Sequence, residues 1–338
     1  MKVTILARNF SGQDDAPLRL LQDAGFEVND QSAGELGIGA GGEKLLACIG
    51  DSDMVIAGLE GYPATLLEAC PNLKLISRRG IGYDAIDVDA CRKLGIGLIR
   101  TFGQVEGAVA EHIMASILWF ARDLRRENEE MHRGVWHRQM SMGAKNRTLG
   151  LVGFGGIGKE VAHRAHAFGM RILYHCRHPQ AEWEGQYGAT YASLNELLAE
   201  SDFICACVPL TVETKGMFDS AAFAKMKPGS FFINAARSPI MNVNALKDAV
   251  ESGHLAGAAV DVFPYEPCAD SPLVSVKNVL LTPHSAPFTR ENFLQMNRVA
   301  AQNVVDYCSG TLDPRCVICS SERFAAQQKN DGSKKARD

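Results

Sequence analysis

No apolar run in this sequence approaches the length of a membrane span. The longest, "IMASILWFA" at Ile113–Ala121, falls far short of the roughly 20 residues that cross a bilayer as a helix. An export signal is also wanting: "MKVTILARNF" is a short β-like run broken by Arg8 and Asn9, too short and too polar. Neither charge sign dominates. The 35 Lys and Arg face 39 Asp and Glu, a net charge of -4, which excludes the broad basic balance of a nucleic-acid binder and a long acidic tail. No internal repeat suggests a solenoid. The nine histidines do not fall into ligand spacing with Cys or carboxylates, so no metal is expected. With no export signal, the ten cysteines read as reduced thiols of a cytoplasmic protein, not as a disulfide framework. Cys205/Cys207 lies in strand-like "FICACVPL"; Cys316/Cys319 is a single CxxC that reads as incidental, with a metal or redox site as its alternative.

What is present is a chain of 338 residues, 46% apolar and 22% charged, long enough for two domains with sizeable cores. Short apolar runs alternate with helix-like segments almost throughout, which predicts an α/β fold of parallel sheets covered by helices. In the first hundred residues the strand candidates are "KVTILA", "MVIAG", "LKLIS" and "GLIR". Apolar spacing of three and four residues then predicts one long helix over 106–131. A second series runs "TLGLVGFGGIG", "RILYHC", "FICACV", "SFFINAA", "GAAVDVF" and "NVLLTP", the strand count of a complete dinucleotide-binding sheet. A further helix after His284 is expected to return to the first domain, and the polar residues 321–338 read as a disordered tail.

The turn "GFGGIG" follows a strand candidate and opens a helix candidate. Gly153 permits the tight turn, Gly155 lets backbone approach a pyrophosphate, and Gly158 allows close helix–strand packing. The next strand, which usually ends in an acid for the ribose of NAD, ends here at Cys176 followed by Arg177. A guanidinium there suits a 2′-phosphate, so NADP is favoured, with NAD held through backbone contacts as the alternative.

Three later strands are followed by "NAARSP" with Arg237, "DVFPYEP" with Asp261 and Glu266, and "LTPHSAP" with His284. Hydride chemistry on a 2-oxo acid needs a fixed cation for carboxylate and carbonyl, which Arg237 can supply. It also needs a proton for the developing alkoxide, which His284 can give, and a carboxylate such as Glu266 to hold the imidazole.

With these segments, "LKLISRRGIGYDAIDVDACRKLGIGLIRT", "GAVAEHIMASILWFAR" and "MKPGSFFINAAR", the chain resembles the D-isomer-specific 2-hydroxyacid dehydrogenases, phosphoglycerate-dehydrogenase-like branch, from about Met54 to about Asp306. The resemblance implies two Rossmann-like doubly wound domains. A dinucleotide-binding domain, 103–285, is inserted into a discontinuous substrate domain, 1–102 and 286–320, with the active site in a cleft between them. It implies Arg237, Glu266 and His284 as the catalytic set, and Ile81 and Gly82 as amides for the substrate carboxylate. Asp261 is implied at the nicotinamide amide, with further cofactor contacts at Gly156, Ile157, Val208 and Ala235. It implies a homodimer joined through the long helix, and a small 2-oxo or 2-hydroxy acid as substrate. The corepressor branch of that family keeps open a dinucleotide-sensing protein without physiological turnover. "LYHCRHP" resembles relatives that use NADP, with Cys176 in place of a Gly. Three departures stand out. "RSPIMN" replaces the usual Arg-Gly-Gly-x-x-Asp, and its Pro239 removes a backbone donor. Phe102 stands where Pro is frequent. Arg79 adds a cation beside the carboxylate loop, either for a second negative group on the substrate or pointing to solvent.

Overall fold

A computed structural model describes residues 1–33 and 42–326. The chain divides into two compact units, Met1–Val105 with Thr289–Asp338, and Glu106–Phe288.

In the first unit, β1 (Lys2–Ile5), β2 (Glu27–Asp30), β3 (Met54–Ala57), β4 (Leu75–Arg78) and β5 (Gly97–Arg100) pair in parallel. A C-terminal strand, Val317–Cys319, adds antiparallel to β5, giving the order C-terminal strand, β5, β4, β3, β1, β2. Every residue of β3 and β4 is buried, as in a parallel sheet covered on both faces. One face packs on Leu45, Leu66, Leu67 and Cys91. The other takes Leu21 and, from the returning helix Arg290–Ser309, Ala300, Ala301 and Val304. That helix begins at Thr289, whose hydroxyl accepts the Asn292 amide, and ends at Gly310 in the left-handed region. β2 is absent from the sequence reading because "EVND" is a half-exposed edge strand without apolar alternation.

The first part of the expected disordered tail is ordered. Residues 322–326 form a helical turn. Phe324 is buried against Tyr307, ring centroids 5.5 Å apart. Arg323 Nη1 donates to the Cys70, Pro71 and Leu73 carbonyls at 3.2, 3.1 and 2.8 Å. One aromatic and one guanidinium are enough to dock a segment that composition reads as polar; the remainder of that tail lies outside the described residues.

The second unit carries a seven-stranded sheet of β6 (Thr148–Val152), β7 (Arg171–His175), β8 (Ala189–Tyr191), β9 (Phe203–Ala206), β10 (Phe231–Asn234), β11 (Gly257–Val260) and β12 (Val279–Leu281). All pairs are parallel, in the order β12-β11-β10-β9-β6-β7-β8. The order reverses between β6 and β9, a topological switch point where such sheets place ligands. β8 is the strand the sequence reading lacks; its three residues "ATY" are largely exposed. The single long helix expected over 106–131 is two, Glu106–Ala121 and Leu124–His132, parted at Asp123, which has φ 48°. The first is buried along most of its length and the second has no buried residue, so their apolar periodicity had different causes. Among the described residues no helix is long and apolar enough to cross a membrane.

Candidate active site

The parallel register brings the chemistry-bearing loops of the second unit to one edge of its sheet. Val152 pairs with His175 and with Ala206, Ala206 with Asn234, and Asn234 with Val260. The residues that follow, Gly153, Cys176, Cys207, Ala235 and Asp261, therefore stand together at the carboxyl end of the sheet.

Gly153 leaves β6 with φ 103°, and a Cβ there would lie 2.5 Å from the Cys207 carbonyl oxygen. The helix Gly156–Ala167 starts at once, and Gly158 lets it turn back so tightly that a Cβ would meet the Gly153 carbonyl oxygen at 2.5 Å. Gly155 is different. A Cβ there meets nothing within 4 Å, so the mouth of the turn is open. The first-turn amides of Gly156, Ile157 and Gly158 have no carbonyl one turn back, and an open, amide-lined cradle of this kind fits a pyrophosphate. Val208 and Ala235, half-buried, follow β9 and β10. Cys176 is half-buried just beyond β7, its Sγ 2.9 Å from the His178 carbonyl oxygen; Arg177 is exposed. Among the described residues Arg177 makes no ion pair.

Beyond β11 and β12 the expected acid–base pair is in contact. His284 Nδ1 lies 2.7 Å from Glu266 Oε2, and Glu266 Oε1 accepts the Phe263 amide at 3.1 Å. Burial pushes the Glu266 carboxyl up. The hydrogen bond and charge of His284, the Phe263 amide and the charge of Arg237 outweigh burial and leave it below its ordinary value. Arg237 thus stands close enough to act on Glu266 through space. Its Nη1 donates to the Ala236 carbonyl at 2.7 Å.

The loop holding His284 is built by Asp261 together with residues that sequence reasoning did not assign. His284 sits at φ 52°, with its amide donating to the Thr282 carbonyl at 3.0 Å. Asp261, only 2% exposed, takes the Thr282 hydroxyl (2.6 Å) and the Ser285 amide (2.8 Å) on one oxygen and the Ala286 amide (3.0 Å) on the other. Thr282 Oγ1 also lies 3.2 Å from His112 Nε2. Expected at the nicotinamide amide, Asp261 thus first anchors the histidine loop; one lone pair on its second oxygen remains for a further donor. Asn234, fully buried, likewise fixes the arginine loop, donating to the Arg237 carbonyl and accepting the Ala236 amide, both at 3.0 Å. A polar residue closing the apolar run "FFIN" was the available signal.

The departures in "RSPIMN" are harmless to this geometry. Pro239 lies in the first turn of a short 3-10 helix, Ser238–Ile240, where an N–H would have no partner. Asn242 caps the next helix, Val243–Glu251, accepting the Ala245 amide at 3.1 Å.

In the first unit, Ile81 and Gly82 are half-buried in the loop after β4. Arg79 does not point to solvent. It is 8% exposed, donates to the Arg8 carbonyl and Asn297 Oδ1 at 2.9 and 3.0 Å, and packs over the Phe293 ring. Burial, then the neighbouring Arg78 charge, pull its pKa down to about 10, with Glu60 opposing. No disulfide joins the described cysteines, and Cys205 and Cys316 are buried. Among the described residues no cluster could hold a metal ion.

Comparison with known proteins places the chain in a family. Residues 114–286 match the family of D-isomer specific 2-hydroxyacid dehydrogenases, NAD binding domain. Glyoxylate/hydroxypyruvate reductase B of Shigella boydii is 38% identical over 282 residues, covering 81% of this chain and 87% of that protein. Among solved structures, a Thermus thermophilus protein superposes with TM-score 0.81 at 30% identity, covering 94% of this chain and 100% of its own. A D-lactate dehydrogenase from Aquifex aeolicus, solved with NAD and lactic acid, gives TM-score 0.80 at 27% identity, covering 94% and 99%. From the glycine turn to the histidine loop, and on the strength of these matches, the chain belongs to the D-isomer-specific 2-hydroxyacid dehydrogenase family.

Proposed function

We propose that the protein reduces a small 2-oxo acid to the D-2-hydroxy acid with NADPH as the preferred donor. The observation that carries this reading is the His284–Glu266 contact at 2.7 Å with Arg237 acting on the same carboxylate. Gly153, Gly155, Gly156, Ile157 and Gly158 hold the pyrophosphate, with Cys176 and Arg177 at the adenosine ribose and Val208, Ala235 and Asp261 along the rest of the cofactor. The bound nicotinamide supplies the hydride. Ile81 and Gly82 amides receive the substrate carboxylate, and Arg237 binds carboxylate and carbonyl oxygen together, so that negative charge developing on the oxygen is stabilised. His284 delivers the proton that turns the alkoxide into a hydroxyl, and Glu266, ionised, holds the imidazole in place. Arg79 supports the carboxylate loop from within, through Asn297, Arg8 and Phe293.

The test is to mix the protein with NADPH and a panel of 2-oxo acids and follow the absorbance of the reduced cofactor. Turnover with D-product supports the reading. Tight cofactor binding without turnover on any acid would favour a dinucleotide sensor instead. Replacing Arg177 with Asp is expected to move the NADPH/NADH ratio of kcat/KM toward NADH by about 10-fold or more, since one charge-assisted phosphate contact becomes a repulsion. An unchanged ratio would make Arg177 a bystander and leave the cofactor choice to backbone contacts.

A homodimer is proposed on the exposed apolar side chains at and after the end of the second helix: Met131, Val135, Trp136 and Met140 are 52, 45, 79 and 99% exposed. Sedimentation is expected to give twice the chain mass, and Trp136→Glu to shift it toward the monomer; a monomeric wild type would remove this proposal.

A further inference from the structure

The first unit contains a cation that the reading above does not use. Arg100 closes β5 directly beside Arg78 at the end of β4, the two being register partners. Its backbone is held by Asn303, which donates to the Arg100 carbonyl at 3.0 Å. Its guanidinium is flanked by two rings, with Cζ 5.7 Å from the Tyr83 centroid and 5.4 Å from that of Phe102. Nη1 reaches the carbonyl oxygen of Ile81 only at 3.5 Å, and Nε is buried without a partner.

The neighbouring cations have more partners, although Arg79 Nε is likewise buried without one. Arg79 is hydrogen-bonded to Arg8 and Asn297. Arg78 donates to the Arg79 carbonyl, and the buried Glu60 lies near both. Arg315, over the same Phe102 ring at 5.2 Å, is paired with Asp313 at 2.6 Å. Arg100 has only the long Ile81 contact and no carboxylate in ion-pair range among the described residues. A half-buried guanidinium in this state has given up water without gaining an anion, which is costly. Aromatic rings can offset the cost at its faces, but they leave the N–H edge free. A planar edge of donors with blocked faces is the geometry that selects a carboxylate or phosphate group by paired hydrogen bonds.

We infer that Arg100 is a specificity determinant: it receives a second anionic group on the substrate, so that 2-oxo acids bearing an additional carboxylate or phosphate are preferred over simple monocarboxylates. The inference rests on the assignment of Ile81 and Gly82 to the first carboxylate, because Arg100 lies against the carbonyl of that same loop. Phe102 gains a purpose as well. Two residues on from Arg100, its aromatic ring screens one side of the guanidinium.

The experiment compares kcat/KM with NADPH for glyoxylate, oxaloacetate and phosphonopyruvate in the wild type, Arg100→Met and Arg100→Lys. The methionine variant is expected to lower the value for the better dianion by roughly 30-fold or more. Glyoxylate is expected to fall by no more than about threefold, and lysine to recover much of the difference through charge. Whichever dianion falls further, oxaloacetate or phosphonopyruvate, identifies carboxylate or phosphate as the group received. A parallel fall of all three substrates, or no fall, overturns the proposal. Calorimetric titration of the NADP-loaded protein with malonate and with acetate is read independently of turnover. The wild type is expected to bind malonate more tightly, and Arg100→Met to close the gap; equal binding of the two by the wild type also overturns it. Failure to reduce any acid would count against the dehydrogenase reading, while the malonate–acetate comparison would still decide the role of Arg100.

Discussion

Replacing His284 with Gln is expected to lower turnover of every accepted 2-oxo acid by about 10²–10⁴-fold while NADPH binds within about threefold of wild type. The amide of Gln can occupy much of the imidazole's space and keep a hydrogen bond to Glu266, but it cannot release a proton to a developing alkoxide. The loop should survive the change. Its shape is set by the bonds of Asp261 to Thr282, Ser285 and Ala286 and by the His284 amide on the Thr282 carbonyl, none of which uses the imidazole. A loss of rate is therefore a loss of chemistry. Cofactor fluorescence titration and single-turnover oxidation of NADPH separate the two effects. Activity within about tenfold of wild type would take His284 out of the proton-transfer role.

The same pair sets an acid limit. Because the folded Glu266 carboxyl lies below its ordinary value, it remains ionised through the neutral range and down past the point where an unfolded glutamate takes up a proton. Its contribution to stability is present above that ordinary value. It is lost only as pH falls through the lower, folded one.

How much of this could be read beforehand depends on which residues carry the information. The second-unit strands were legible because a buried parallel strand is written in nearly pure apolar code, as in "FFIN" and "GAAV". The glycine turn was legible because its spacing answers to three separate steric demands. The edge strands "EVND" and "ATY" were not, since half-exposed residues are free of that code. The break at Asp123 was hidden for another reason. A residue at φ 48° leaves apolar spacing on either side intact, so periodicity continued across a change of direction. In the site, residues whose chemistry is their purpose, His284, Glu266 and Arg237, stood out by type and by position after strands. Asn234 and Thr282 did not, because their work is to satisfy backbone groups of neighbouring loops. That need is visible only once the loops have shape. The solvent-facing reading of Arg79 failed for a related reason: a charged side chain is expected at the surface, and the Arg8 carbonyl, Asn297 and Phe293, all far away in sequence, make its burial tolerable.

Gly153→Ala is expected to weaken NADPH binding by about 100-fold or more and to lower unfolding stability by roughly 2–3 kcal/mol. The added methyl would lie 2.5 Å from the Cys207 carbonyl oxygen, 2.6 Å from its carbon and 2.9 Å from the Val208 nitrogen. All three are backbone atoms, so no flexible side chain can yield. The turn cannot slide aside either. The Gly153 amide is bonded to the His175 carbonyl at 2.8 Å, and the Cys207 amide to the Val152 carbonyl at 2.7 Å, fixing β6 between its two neighbours. At φ 103° the backbone itself resists a side chain. Relief requires lifting the turn away from β9, and the first-turn amides of Gly156 and Ile157 move with it. Gly155→Ala is the control that isolates the ligand. Its φ of -84° is ordinary and its methyl would meet no protein atom within 4 Å, so unfolding stability should change little. If the open mouth of the turn is where the pyrophosphate lies, that methyl still displaces it and binding falls. Denaturant melts alongside fluorescence titration give both quantities for both variants. A Gly155→Ala protein that binds NADPH like wild type would move the cofactor away from this turn.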